Sequence, residues 1–181
     1  MTCRKMLAAL ACLAATPALA ENPMVGGAPM LESRNIVENA VNSADHTTLV
    51  AALKAAGLVD ALQSDGPFTV FAPVNAAFDA LPPGTVETLL QPGNKDKLTK
   101  ILTAHVVSGD LSGADLRRRS AAAPGGYFHM TTLSGDALSA TVLGDTLYIV
   151  DETGMSGTVT IGDVDQSNGV IHVIDKVLLP K

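Results

Sequence analysis

The chain reads as an α+β protein, on three observations. Apolar residues recur at helical spacing through most of the first half, from Ile36 to Arg119. A single β-prone run, Phe68 to Ala72, interrupts them. After Pro124-Gly125-Gly126 the period drops from about 3.6 residues to about 2 and holds to Leu179. Helices first and strands later is the pattern of an α+β domain.

The elements follow in order. Ile36, Val37, Ala40 and Val41 form one helical stripe. Asp45 is placed to cap a helix over 47–56, where Leu49, Val50, Leu53 and Ala56 repeat the spacing and Gly57 closes the end. A short helical turn through Leu58 and Leu62 comes next, then an Asp65-Gly66-Pro67 turn into the strand 68–72. Pro73 ends that strand because its ring fixes φ and removes a donor. Asn75 is expected to cap a helix running to Leu81. Pro82-Pro83-Gly84 breaks the chain, and short helices follow over 85–90 and 94–104, the second with Leu98, Ile101, Leu102 and His105 on one side. Ser112 caps a helix to Arg119, with Asp115 at the third position. Strands are expected over 127–133, 137–143, 147–151, 158–163 and 170–179. Gly144-Asp145 and Asn168-Gly169 supply hairpin turns between them.

The first twenty residues differ from the rest. Arg4 and Lys5 precede an apolar run from Met6 to Ala15, and Ala18-Leu19-Ala20 offers a small-residue cleavage site. That order predicts a secretory signal peptide over 1–20, since a ten-residue run is short of the roughly 20 apolar residues a span requires. Residues 21–34, with Pro23, Gly26, Gly27 and Pro29, read as an extended leader, and 35–181 as one domain. No transmembrane segment is expected in the mature chain. Cleavage removes both cysteines, Cys3 and Cys12, and two basic residues, so the net charge of −6 becomes −8. Without cysteine the mature chain has no disulfide, thiolate metal site or cysteine nucleophile. The acidic balance argues against nucleic acid, whose binders cluster Lys and Arg.

Two segments go beyond generic pattern: Thr69 to Phe78 (TVFAPVNAAF) and Asn168 to Pro180 (NGVIHVIDKVLLP). They resemble the first and second signature motifs of fasciclin (FAS1) domains, in the right order, and 101–109 resembles the segment between them. The resemblance spans 35–181 and is to the secreted bacterial single-domain type. It implies helices packed on a β-wedge of two small sheets, a secreted location (periplasm, cell surface or medium), and no catalysis and no cofactor. It also implies adhesion through a cell-surface or matrix protein or polysaccharide. Some animal members carry an Asp-Ile pair upstream of the second motif that is implicated in integrin contact, and Asp163-Val164 sits similarly. Ala104 stands before His105 where the family commonly has Tyr. The alternative function is an envelope protein that binds a small apolar ligand or lipid in a crevice between sheet and helices.

The candidate partner-binding residues are therefore His105, Asp163, Val164, Asn75, Arg117, Arg118 and Arg119, although His105, which follows an apolar helical stripe, reads first as a hydrogen-bonded core histidine. Arg117 to Arg119 is the basic run, suited to an acidic polysaccharide or headgroup, or simply to the C-terminal end of its helix. No metal is expected. The four histidines lack ligand spacing, and a calcium loop beginning at Asp163 would place Asn168 where Gly is needed and Ile174 where Glu is needed. No nucleophile elbow or phosphate loop appears, so no enzymatic activity is expected.

Overall fold

The computed structural model describes residues 22–181, and the expected signal peptide lies outside the described residues. β3 (Phe68–Pro73) runs through the interior, as an apolar run with no polar face requires. It pairs antiparallel with β4 (Val106–Ser108) and parallel with β9 (Gly169–Ile174), the latter over six registered positions from Phe68↔Gly169 to Pro73↔Ile174. β8 (Ser156–Gln166) is the long strand. Its first residues pair with β7 (Thr146–Val150) and its later ones with β9. β6 (Ala137–Leu143) and β5 (Phe128–Thr131) complete the order β4-β3-β9-β8-β7-β6-β5.

β8 thus belongs to two sheets. Register slips flank Ile161, and such bulges bend a strand and increase its twist. On the far side Leu133 N–H donates to Val106 O at 2.8 Å, beside a bridge between Val107 and Thr132. The two sheets therefore meet at both sides and form a wedge.

Alternate residues of β3 and β9 fill two different cores. Val70, Ala72, Ile171 and Val173 face a cluster covered by α1 (Ile36–Ala40), α2 (Thr47–Ala56), α3 (Val59–Leu62) and α6 (Lys95–Thr103). Phe71 and Ile174 face a second cluster with Leu116 of α7 (Gly113–Ala122) and Leu138, Leu147 and Ile149 of β6 and β7. The short helices α4 (Asn75–Asp79) and α5 (Thr85–Leu89) link β3 to α6.

The turn before β9 holds the frame. Asn168 Oδ1 accepts from Ile36 N–H at 3.1 Å, and its amide donates to Leu62 O at 2.8 Å and Ser64 O at 3.1 Å. Its carbonyl accepts from Phe68 N–H at 3.1 Å. One residue thereby joins the start of α1 and the end of α3 through its side chain, and the start of β3 through its carbonyl. Gly169 follows at φ 151°, and a Cβ there would lie 1.9 Å from Phe68 O.

The structure departs from the sequence reading at several places. Residues expected as an extended leader form a ribbon of β1 (Met24–Val25) and β2 (Ala28–Pro29). Gly26 and Gly27, at φ 58° and 77°, make the left-handed turn that a two-residue hairpin favours, and Val25 and Met30 are buried. β4 is an added strand, too short to show a period. β9 stops at Ile174 because the chain beyond it leaves the sheet as a tail, in which Leu178 N–H and Leu179 N–H are bound by side chains at 2.9 and 3.0 Å. α7 runs past Arg119 to Ala122, since Ser120 turns inward and donates to Leu116 O and Ala140 O.

Candidate functional site

α7 and the bulge of β8 bring the largest group of predicted residues together. Ser112 caps α7, its Oγ accepting from Asp115 N–H at 3.1 Å, as local spacing predicts. Asp163 reaches the same helix end from β8. It sits in the left-handed region at φ 55°, which Asp tolerates better than most side chains. Its Oδ1 accepts from Gly113 N–H at 2.6 Å, and a Cβ on residue 113 would stand 2.9 Å from Oδ2. A carboxylate suits a helix N-terminus, where free N–H groups and the helix dipole favour negative charge.

Beneath Asp163 lies His172, fully buried and stacked on Phe71 with ring centroids 5.7 Å apart. Its Nε2 donates to Leu111 O at 2.8 Å and its Nδ1 accepts from Asp163 N–H at 3.3 Å, an assignment that follows from the two partners. Burial holds its pKa below the ordinary value, so the ring is neutral. Val164, beside Asp163, is 0% exposed. The Asp163-Val164 pair therefore offers no exposed apolar side chain, and its carboxylate is already engaged in capping.

The arginines stand on the outer face of α7, and each has an internal partner. Arg117 donates to Asp145 O at 2.7 Å, at the β6–β7 turn. Arg118 pairs with Asp115 one turn back. Arg119 lies 5.3 Å over the Phe128 ring, a cation–π contact. Arg119 lies in the last turn of the helix, where a cation complements the dipole, and Arg117 and Arg118 lie in the turn before it. Leu143, beside the turn that holds Arg117, is 68% exposed. Sequence reasoning missed it because an apolar residue ending an alternating strand looks like core.

His105 and Asn75 lie elsewhere and act inside the fold. His105 is 2% exposed. Its Nδ1 donates to Ile101 O at 2.8 Å and its Nε2 accepts from Leu178 N–H at 2.9 Å, which ties the end of α6 to the C-terminal tail. Burial pushes its pKa down to about 4. Both ring nitrogens are occupied and the ring is enclosed, as a hydrogen-bonded core histidine requires, which leaves no free ring nitrogen for a partner.

Asn75 does not cap its own helix, whose N-cap is Val74. Its Oδ1 accepts from Thr48 N–H at 3.0 Å and Thr47 Oγ1–H at 3.2 Å, and its amide donates to Ala44 O at 2.9 Å. It caps α2 from another element, taking the place expected for Asp45. Asn75→Ala is expected to cost about 1 kcal/mol in urea denaturation, the usual value of a lost cap. Asn75→Asp, which keeps the acceptor, is expected to lose less than half of that.

Asp165 is held above the ordinary carboxylate range, by burial first and then by Asp110, Asp163 and Glu32. Among the described residues no three His, Cys, Asp or Glu side chains are grouped to hold a metal ion. No described helix is long and apolar enough to cross a membrane.

Comparison with known proteins agrees with this architecture. The family model of the fasciclin domain matches residues 44–180. Protein sll1483 of Synechocystis is 48% identical over 160 residues, covering 88% of this chain and 81% of that protein. Immunogenic protein MPB70 of Mycobacterium bovis is 37% identical over 146 residues, covering 78% of this chain and 66% of its own. Among solved structures, a FAS1 domain pair from the insect cell adhesion molecule fasciclin I superposes with a TM-score of 0.72 at 21% identity, over 81% of this chain and 51% of that one. With the wedge, the two motifs and a match over most of its length, the chain belongs to the fasciclin domain family.

Proposed function

We propose that this chain is a secreted, non-catalytic fasciclin module that mediates cell adhesion or contact with a cell-surface or matrix protein or polysaccharide. The observation that carries the reading is the outer face of α7. It presents three consecutive arginines, Arg117, Arg118 and Arg119, beside the exposed Leu143, on a chain that is otherwise acidic. Positive charge concentrated on one rigid face attracts an acidic surface even where the whole molecule is negative. The internal partners of the arginines fix the side chains and lower the entropy lost on contact. The shared fold with a cell adhesion molecule supports the same reading. The predicted signal peptide puts the module at the periplasm, the cell surface or the medium.

The test is attachment of cells bearing the protein. Arg117→Gln, Arg118→Gln and Arg119→Gln together are expected to lower attachment by about fivefold or more at low salt. Wild-type attachment is expected to weaken from 0.01 to 0.5 M salt, as screening shortens to within a few ångströms. Equal attachment of wild type and triple variant, both folded and secreted, would remove α7 as the contact face.

A further inference from the structure

Val25 of the ribbon Met24–Pro29, and Met30 just after it, line a largely buried cavity of about 30 Å³. Ile36 and Leu53 wall it from the helices, and Val70 and Ile171 from the sheet. Ser43, His46 and His105 are the polar residues of the lining, and one ring nitrogen among them is unpaired. His46 is 3% exposed, its Nδ1 is bonded to Ser43 Oγ at 2.8 Å, and its Nε2 has no hydrogen-bond partner. Nε2 faces the Ala72 carbonyl without closing a bond to it. Among the buried side-chain polar atoms of the described residues, it alone is unpaired. Native folds leave few such groups, and each asks for a reason.

The cover is lightly fastened. Gly26 O accepts from Ala44 N–H at 3.1 Å, and the Leu31 backbone exchanges two bonds with the Asn39 side chain, at 3.1 and 2.8 Å. Val25, Ala28 and Met30 add apolar contacts with the core. The ribbon also precedes the span of the family match, which begins at residue 44. Elements with few hydrogen bonds and few buried side chains open at low cost, without global unfolding.

We propose that Met24–Pro29 is a displaceable plug, and that the pocket beneath it binds the end of an apolar chain bearing one neutral hydrogen-bonding group, a fatty alcohol or ester, with that group on His46 Nε2. The chain is apolar because the walls are. The polar group is neutral because burial keeps the His46 ring uncharged and the lining contains no Lys or Arg to meet a carboxylate. The plug must move because 30 Å³ has room for water but not for a ligand, whose pockets run to a few hundred Å³. The inference develops the small-apolar-ligand reading of the sequence and stands apart from the adhesion reading. An arginine variant that loses attachment yet binds the probe as wild type does would separate the two.

The experiment is a titration of the purified protein with 1-octanol, octane and octanoate, followed by amide and histidine-ring NMR. Octanol is expected to give saturable shifts at the His46 ring nitrogens together with the Gly26 and Gly27 amides. Octane and octanoate are each expected to bind about tenfold more weakly. Met30→Ala, which widens the pocket where the ribbon ends, is expected to tighten octanol binding by about tenfold. His46→Leu is expected to erase the preference for octanol over octane. The proposal is overturned if octanol leaves the His46 ring unshifted, if the ring shifts while the ribbon amides stay fixed, or if octane and octanoate match octanol. Should either variant lose its dispersed spectrum, the three wild-type titrations decide.

Discussion

Gly169→Ala will destabilise the protein by about 3–5 kcal/mol, enough to unfold a large share of it at moderate urea concentrations. A methyl group there would lie 1.9 Å from Phe68 O and 2.7 Å from Phe68 N. Both are backbone atoms of the paired strand, so no side chain can swing aside. The φ of 151° adds conformational strain for any residue with a Cβ. Relief requires β3 and β9 to separate at the first of their six registered pairs, beside the Asn168 bonds that hold α1 and α3. Gly84→Ala is the matched control. Gly84 has a φ of 82° but nothing within 4 Å of its Cβ position, so only the left-handed strain of about 1–2 kcal/mol applies. Urea midpoints of the two variants settle the matter. Equal losses would show that the close approach to Phe68 contributes nothing.

The second large effect is acid lability. Stability will fall as pH is lowered from 6.5 towards 4. His105 has a folded pKa of about 4 against an ordinary 6.5, so across that interval the unfolded chain binds a proton that the folded chain does not. The His105 contribution is complete above pH 6.5 and is lost as pH drops to 4. At 1.36 kcal/mol per unit it amounts to about 3 kcal/mol, a large fraction of a typical total of about 5–15 kcal/mol. His46 and His172 are shifted the same way, by burial first, and add to the loss. Asp165 works in the opposite sense, since its raised pKa lets the folded state take up a proton more readily. It is mostly exposed, and the three histidines outweigh it. Urea midpoints at pH 7.5, 6, 5 and 4.5 measure the slope. His105→Leu is expected to be less stable at pH 7.5, because Leu178 N–H and Ile101 O lose their partner, and to show a flatter decline. A variant as steep as wild type would assign the lability elsewhere.

Local chemistry was legible in the sequence, and distant chemistry was not. Ser112 and Asp115 are three residues apart, and the cap they form needs nothing else. The strand Ala137–Leu143 matches its expected limits because Leu138, Ala140 and Val142 alternate onto the core face. Asn75 carries an equally strong capping preference, yet the helix it caps begins 28 residues earlier, and no rule of spacing reveals that. The same holds for Asp163, whose partner Gly113 is 50 residues away. β8 was read as six residues and spans eleven, because two sheets share it and the bulges break its period. The ribbon escaped notice because two-residue strands have no period at all. Of the candidate site, the arginine run is visible as a run and His105 shares the apolar side of its helix, while the burial of Val164 follows only from how β8 packs against β9 and the helices.

The placement of β9 has a mechanical consequence. Tension applied beyond Leu179 first meets the Leu178 and Leu179 backbone bonds, held by His105 and Asp151. If those part, the pull runs along β9 itself, which lies between parallel β3 and antiparallel β8. Its ladder bonds then stretch side by side rather than one after another, so the strand must shear past both neighbours at once. A tether attached at that end therefore loads β9 in shear against two neighbours.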